Sequence, residues 1–375
     1  MNPFTPTRMP RITLKTVAEE AGVSVATVSL ALRGQGKLAA GTVQRIREAA
    51  DRLGYRPDPM LASLASRRFR SGEQAQGLPV ALLEFPPFAG ELTSQSLKYY
   101  RNHLMTEARV LGYAPQVYTK PEMDRYGDFL RLLYHRGTVG AILSGQPDVG
   151  LFANPEPWRN LALIQCGRYR TSLPVNTVRP NIYEAIKLGF EEARARGYRR
   201  IGFAIGRHPE ILDDDLARLG AAKAFVETQL SPRERIPPFF ESLADHDQMI
   251  AWVKKYQPDV CIGFSLGLYY DLKKAGFPAP DSIGYIALHG TPEGHVTADG
   301  TTIACLDQAR SEIARQAILM LDQMVRHNER GLPAAPRQLL VQASFLDGVT
   351  VRPRQEAIPA EAKNRASRPL PEIGG

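Results

Sequence analysis

The sequence predicts an α/β protein in two parts: a small basic helix-turn-helix module, then a large body of parallel sheets wound by helices. Residues 1–72 carry 12 basic and 5 acidic residues, whereas positions 73–375 carry 35 and 34, so the first fifth of the chain holds almost all of the formal net charge of +8. From Pro79 onward, short apolar runs alternate with helical patterns, as in strands joined by crossover helices. A basic module on a nearly neutral body indicates nucleic-acid binding, with a membrane surface as the weaker alternative.

The basic module shows three helical patterns with start and stop signals. Thr13 is a suitable N-cap for the first helix, Gly22 ends it after two turns, and Ser24 can cap the second. A glycine-containing turn between two short helices, followed by a third, is the layout of a helix-turn-helix. The approximate helix bounds are 14–21, 25–32 and 40–53.

The segment after this module is predicted to connect it to the body. Arg56-Pro57-Asp58-Pro59 forces an extended passage, and Met60–Ser66 is apolar but too short to be a stable helix alone. Residues 67–78 read as a basic and then polar linker.

The body is predicted to form two similar lobes, because about 270 residues exceed one comfortable sheet. The expected strands are Val80–Phe85, Pro115–Tyr118, Gly140–Ser144, Ala162–Cys166, Arg200–Ile205, Val260–Phe264 and Ile283–Leu288. Helices are expected near 97–111, 124–135, 181–196, 216–229, 246–256, 267–275 and 307–328. Residues 351–375 contain several prolines and no apolar period, which predicts a disordered tail.

The stretch Ile12-Thr-Leu-Lys-Thr-Val-Ala-Glu-Glu-Ala-Gly-Val-Ser-Val-Ala-Thr-Val-Ser29, together with Leu53-Gly-Tyr-Arg-Pro57, resembles the headpiece of the LacI family of bacterial transcription regulators. The match extends to about Leu64, and the alternating body is also what that family has. The resemblance implies a body like the periplasmic sugar-binding proteins, with two lobes crossed three times by the chain. It implies a headpiece over 11–56, a hinge helix and linker over 57–78, and a body over 79–350. Lobe 1 would take about 79–177 and 300–331, and lobe 2 about 178–299 and 332–350, with crossings near 176–180, 297–302 and 331–335.

The second helix is the predicted reading helix. A small core can form from Val17, Ala21, Val23, Val28 and Leu32, which leaves an exposed side made of Val25, Ala26, Ser29 and Leu30. An exposed Val-Ala pair at a helix N-terminus suits thymine methyl groups in a major groove. The family uses these four positions for base readout, but Leu30 stands where relatives commonly have arginine. The alternative is that Leu30 belongs to the core.

Other positions are candidates for the DNA backbone and for bending. The phosphate candidates are Ser24, Thr27, Arg33, Lys37 and Arg56, each of which could instead be merely solvated. Arg67 and Arg68 join them, with Arg70 beside them, next to the backbone of the bent site. Leu64 aligns with the family's minor-groove wedge, and Leu61 competes for that role. Paired hinges imply a homodimer on pseudo-palindromic, double-stranded operator DNA.

The effector contacts of the family carry over poorly to this body. Ala217 occupies the position of the usual arginine, with Arg218 one step off register, and Ser265-Leu266 replaces the usual Asn-Asp. A sugar or related metabolite is the expected class of effector, in a cleft between the lobes. The candidate contacts are Arg168, Tyr169, Arg218, Ser265 and His289.

Two other functions stay open: an enzyme-like body, and an architectural DNA-binding protein whose body only dimerises. Asp213-Asp-Asp215 and Asp245-His-Asp247 are interpreted as solvated or helix-capping charge, and no HExxH, GxSxG or Walker sequence occurs. We therefore expect no catalytic residue, metal or cofactor. Cys166, Cys261 and Cys305 form no CxxC pair, and no run is apolar enough to cross a bilayer, so we expect a cytoplasmic regulator without membrane contact. Members of the family usually repress transcription, so repression is the expected direction of regulation.

Overall fold

The computed structural model describes residues 13–33, 38–53, 55, 77–86, 94–125, 129–167, 173–209, 211–242, 245–292, 294–297 and 299–353. These residues form eleven α-helices and eleven strands. The strands are β1 Leu78–Glu84, β2 Tyr113–Thr119, β3 Gly140–Ser144, β4 Ala162–Cys166, β5 Asn176–Pro180, β6 Ile201–Ala204, β7 Val260–Gly263, β8 Gly284–Gly290, β9 Cys305–Asp307, β10 Gln338–Val341 and β11 Ser344–Leu346. The helices are α1 Leu14–Ala21, α2 Val25–Arg33, α3 Ala40–Leu53, α4 Ser94–Val110, α5 Lys120–Arg125, α6 Phe129–His135, α7 Ile182–Ala195, α8 Asp213–Gln229, α9 His246–Tyr256, α10 Leu266–Lys274 and α11 Arg310–Arg326.

The three N-terminal helices form the predicted helix-turn-helix, and we call α1–α3 the headpiece. Thr13 caps α1 by accepting a hydrogen bond from the Thr16 amide, and Gly22 ends the helix at φ 64°, a left-handed conformation that glycine adopts without strain. Both predictions are confirmed. The buried headpiece core consists of Val17, Ala18, Ala21, Val28, Ala31, Ile46, Ala49 and Ala50.

The chain divides into two compact units, the first made of Met1–Arg179 and Ser311–Leu339. Its sheet has the strand order β10-β5-β4-β3-β1-β2, and the pairs from β5 to β2 are parallel. Every residue of β3 and β4 is buried, which explains why both sequences are mainly apolar. The Tyr113 hydroxyl donates to Asp322 Oδ1 at 2.8 Å and so ties β2 to α11.

The second unit consists of Pro180–Arg310 and Leu340–Gly375. Its sheet has the order β11-β9-β8-β7-β6, parallel except for the antiparallel pair β11–β9. One apolar cluster lies around α7 and α8, and a second lies around α9 and α10. Because β6, β7 and β8 are parallel, their carboxyl ends meet at one edge of the sheet, where ligand sites of such sheets form.

The chain passes between the two units later than predicted at two of the three crossings. The first crossing, at Arg179 and Pro180, lies in the predicted stretch, but the second falls at Arg310 and Ser311 instead of near 297–302. The cause is β9, which pairs with β8 and keeps residues 300–310 in the second unit. The third falls at Leu339 and Leu340 instead of near 331–335, because the Gly331 amide donates to Leu161 O at 2.9 Å in the first unit.

Several local predictions also change. The helix predicted over 124–135 corresponds to two helices, α5 and α6, and the segment 176–180 is a strand that pairs with β4. Val351 is 5% exposed and belongs to the core of the second unit, so the ordered body extends past the predicted start of the tail. Residues 354–375, the rest of that tail, lie outside the described residues.

The cysteines agree with the sequence-based interpretation. All three are buried free thiols, and burial raises the pKa of Cys166 and Cys261 to about 12. None of the helices in the described ranges has the length and apolar character needed to cross a lipid bilayer.

Two glycines of the second unit give a matched stability test. A Cβ on Gly290 would lie 2.1 Å from the buried Cys305 sulfur, whereas a Cβ on Gly220, in the exposed middle of α8, would meet nothing within 4 Å. We expect Gly290→Ala to destabilise the unit by about 1–3 kcal/mol through overpacking. Gly220→Ala should stabilise it by about 0.5–1 kcal/mol, because alanine is the better helix former.

Urea unfolding followed by Trp252 fluorescence measures both changes, with Trp158→Phe as the shared background so that Trp252 alone reports. Equal stability of the two variants would contradict the packing described for β8 and β9.

Candidate functional site

The start of α2 is held by a local hydrogen-bond network. Ser24 Oγ accepts from the Thr27 amide at 3.1 Å and lies 2.8 Å from the Thr27 hydroxyl. The predicted Ser24 cap is therefore confirmed. Such a cap satisfies an otherwise unpaired amide and fixes where the helix begins.

The packing of α2 divides it into two sides. Val28 and Ala31 point into the headpiece core, whereas Val25 is 44% exposed and Ala26 is exposed. Ser29 and Leu30 are half-buried, and Leu30 is not among the described residues packed in the core cluster. The predicted reading surface is thus partly exposed and mostly apolar.

The described residues include few of the candidates for contacts with the DNA phosphates. Ser24 and Thr27 engage each other in the α2 cap, and Arg33 ends α2 with its side chain outside the described residues. The other phosphate candidates and both wedge candidates lie outside the described residues. They are Lys37, Arg56, Arg67, Arg68 and Arg70 for the phosphates, and Leu61 and Leu64 for the wedge.

A buried charge network lies in the second unit at the start of α8. Asp215 is fully buried, and its carboxylate accepts a hydrogen bond from the guanidinium of Arg218, which is 1% exposed. The same carboxylate lies 2.9 Å from His208 Nδ1 and accepts from the amides of His208 and Leu212, at 3.2 and 3.0 Å. One carboxylate therefore joins His208 and Leu212 to the first turn of α8.

The hydrogen bonds to Asp215 decide its protonation. Burial alone raises the pKa of a carboxyl group, but the hydrogen bonds from His208 and Leu212 and the charge of Arg218 outweigh it and lower the pKa of Asp215 to about 2. Asp215 is therefore ionised at neutral pH, and it balances the buried charge of Arg218.

The ring of Phe264, directly after β7, is surrounded by three side chains. Arg218 and His289 are candidates predicted from the sequence, and His208 is not. The Arg218 guanidinium lies 4.9 Å from the ring centre, and the rings of His208 and His289 meet it edge-on at 5.6 and 4.7 Å. The next residue, Ser265, accepts a hydrogen bond from the Tyr285 hydroxyl through its carbonyl oxygen. The structure thus brings together Arg218, Ser265 and His289, whereas Arg168 and Tyr169 lie outside the described residues.

Phe264 and Ser265 also line a pocket of the second unit. Its apolar lining includes Phe239, Met249, Phe264 and Leu268, and its polar lining includes Ser242, Asp245, His246, Ser265 and Asp271. His246 Nδ1 lies 2.5 Å from Asp271 Oδ2. Asp245 caps α9 by accepting from the Gln248 amide at 3.0 Å, which agrees with its interpretation as a helix cap.

The centre of this arrangement, Asp215 with His208, is not predicted by the sequence pattern. Of the two interpretations of Asp213-Asp-Asp215, the solvated one is wrong for Asp214 and Asp215, because both are fully buried. The helix-capping one is confirmed for Asp215, which accepts a hydrogen bond from the amide of the N-cap residue Leu212. The spacing of Asp215 and Arg218, three residues apart on one helix, was the available signal for their ion pair. The described residues contain no group of three or more metal-ligating side chains close together.

Comparisons with known proteins identify the family. The family model "Bacterial regulatory proteins, lacI family" matches residues 13–58. The maltose regulon regulatory protein MalI of Escherichia coli K12 is 25% identical over 292 residues, which are 72% of this chain and 78% of that protein. The transcriptional repressor CytR of the same strain is 26% identical over 349 residues, which are 88% and 96% of the two chains. The chain is a LacI-family transcriptional regulator.

Solved structures show the fold of this LacI-family regulator. The lac repressor dimer bound to operator and the anti-inducer ONPF has a TM-score of 0.56 at 18% identity, covering 92% of this chain and all of that one. The regulator CelR in complex with cellobiose has a TM-score of 0.54 at 16% identity, covering 91% and 100%. The predicted fold class is confirmed. The curated relatives are regulators and not enzymes, and the prediction of a non-enzymatic protein is confirmed on that ground.

The Asp215 carboxylate predicts a pH-dependent contribution to stability. Asp215→Asn leaves the buried Arg218 without its counter-charge, so we expect a loss of about 3 kcal/mol at pH 7. An unfolded aspartate has a pKa near 4, and the folded Asp215 has one of about 2. The contribution is therefore complete above about pH 4 and decreases as the pH falls toward 2.

Urea unfolding between pH 7 and pH 3 measures the difference between the wild type and the variant. Asp213→Asn, in the same turn but exposed, is the control and should change stability by less than about 0.5 kcal/mol. A difference that stays constant down to pH 3 would contradict the assigned role of the carboxylate.

Proposed function

We propose that this LacI-family regulator is a repressor that binds a pseudo-palindromic operator as a homodimer and responds to a small-molecule effector. The observation that carries the proposal is the capped helix α2, whose Val25 and Ala26 are exposed on a basic module. An apolar pair at the start of a recognition helix costs solvation free energy in water and regains it against thymine methyl groups. The relative CytR is named a repressor, which supports repression as the direction of regulation.

Base readout would rest on Val25, Ala26, Ser29 and Leu30. Leucine forms no hydrogen bond with a base, so the bidentate grip on guanine that arginine provides, worth about 1–3 kcal/mol, is missing at position 30. Operator choice then depends on methyl contacts, on Ser29 and on DNA shape. The basic residues, Arg33, Lys37, Arg56, Arg67 and Arg68 among them, would supply phosphate contacts, so affinity should decrease steeply with salt.

The effector would bind the body and change operator affinity. Support comes from relatives solved with small molecules, one with cellobiose and one with the anti-inducer ONPF. A sugar or related metabolite remains the proposed class, with a coupling of about 1–3 kcal/mol to operator binding. A protein of this kind would work in the cytoplasm without membrane contact. If no metabolite changed operator binding, the body would serve dimerisation alone.

The first test addresses the reading helix. In Val25→Ala/Ser29→Ala the methyl and hydroxyl contacts are lost, so operators selected from randomised duplexes should differ in sequence from those of the wild type. Val110→Ala removes a valine that is 73% exposed on α4 and serves as the matched control. An unchanged selected operator for the double variant would refute α2 as the reading helix.

The second test addresses Leu64, the proposed minor-groove wedge. Because the wedge acts only where the duplex is kinked, Leu64→Ala should weaken operator binding and leave non-specific binding nearly unchanged. Titration of operator and of scrambled duplex at one salt concentration measures both affinities. Leu61→Ala is the comparison variant, and an equal loss on both duplexes for Leu64→Ala would exclude the wedge.

A further inference from the structure

We infer that Arg218 does not contact the effector but positions the ring of Phe264, which forms one wall of a pocket for ring-shaped ligands without negative charge. This inference rests on the proposed function, because it takes the pocket of the second unit as part of the effector site. It reassigns Arg218, which the sequence placed among the candidate effector contacts.

Burial and charge together hold Arg218 in place. Its side chain is 1% exposed, and it donates to Asp215, a fully buried carboxylate three residues earlier on α8. A ligand that drew Arg218 away would leave the Asp215 charge buried without its cation, which is strongly unfavourable. The guanidinium is therefore committed to the protein interior.

The second partner of Arg218 is the ring of Phe264. The guanidinium lies 4.9 Å from the ring centre, a favourable cation–π distance. His208, which is bound to the same Asp215 carboxylate, meets the ring edge-on, and His289 meets it from β8. Three neighbours on three segments thus fix the plane of a half-buried ring that lines the pocket.

The remaining lining of the pocket disfavours anions. Among its described lining residues, Asp245 and Asp271 carry negative charge, His246 is engaged by Asp271, and none is lysine or arginine. A carboxylate or phosphate on a ligand would meet these carboxylates without a cation to offset them. Phe239, Met249 and Leu268 add apolar surface for a ring, and Ser242 and Ser265 add hydroxyl groups for polar substituents.

Matched probes test both parts of this inference on the full-length protein. Benzyl alcohol, benzylamine and benzoate share a ring and differ in charge, and hexylamine carries the amine without a ring. Calorimetric titration gives the affinities, and Trp252, whose ring lies 6.1 Å from that of the pocket residue Phe239, gives an optical signal. We expect benzyl alcohol and benzylamine to bind at least about tenfold more tightly than benzoate, and benzylamine more tightly than hexylamine.

The variants separate positioning from direct contact. Asp215→Asn/Arg218→Met removes both buried charges together, so no uncompensated charge remains. It should reduce the preference for benzylamine over hexylamine, while benzylamine should still bind more tightly than benzoate. Phe264→Leu should reduce the same preference and keeps the test decisive if the double variant does not fold. Leu216→Ala, an exposed position on α8, is the control and should change neither.

Three results would overturn the inference: tightest binding of benzoate, no binding of any probe, or an unchanged ring preference in both Phe264→Leu and the double variant. Operator binding by the same preparations, measured without probes, keeps the two proposals apart. Normal operator binding with failed probes rejects the pocket alone, whereas absent operator binding with correct probe selectivity rejects the proposed function alone.

Discussion

The guanidinium of Arg218, which is 1% exposed, needs a carboxylate as counter-charge, and this requirement organises the edge of the second unit where β7 ends. Asp215 meets it from the first turn of α8 and also accepts the amides of His208 and Leu212. The segment before α8, the start of that helix and the ring after β7 consequently share one set of contacts. Any other arrangement of these segments would leave a buried charge without its partner, which is strongly unfavourable.

The headpiece differs from this buried network, because the proposed function requires one side of α2 to stay exposed to DNA. Its helices are short, and short helices depend on caps and packing more than on intrinsic propensity. Thr13, Gly22 and Ser24 fix where α1 and α2 begin and end, and Val28 and Ala31 fix which side of α2 faces inward. Exposure of Val25 and Ala26 is the consequence of that packing.

The periodic elements were predictable from the sequence, and the pairings between distant segments were not. The bounds of β3, β4 and α9 agree with prediction, because each combines a clear pattern with turn signals. Strands β9, β10 and β11 have only three or four residues, too few for an alternating pattern to show. Asp215 was misread for a related reason: helical spacing gives the side of α8 on which it lies, but only the tertiary fold supplies the His208 and Leu212 partners that make its burial favourable.

Charge has opposite tasks in the two parts of the molecule. The first 72 residues carry 12 of the 47 basic residues against 5 acidic ones, an excess that suits a polyanion and conveys no sequence information. In the body, a strong cation is neutralised inside the core and acts through the aromatic ring that it holds. In the proposed function, long-range attraction acts on DNA and the Phe264 ring acts on a small molecule, so the two binding sites would use different residues. Under that proposal, effector specificity could change through Phe264 and its neighbours while operator specificity stays with α2.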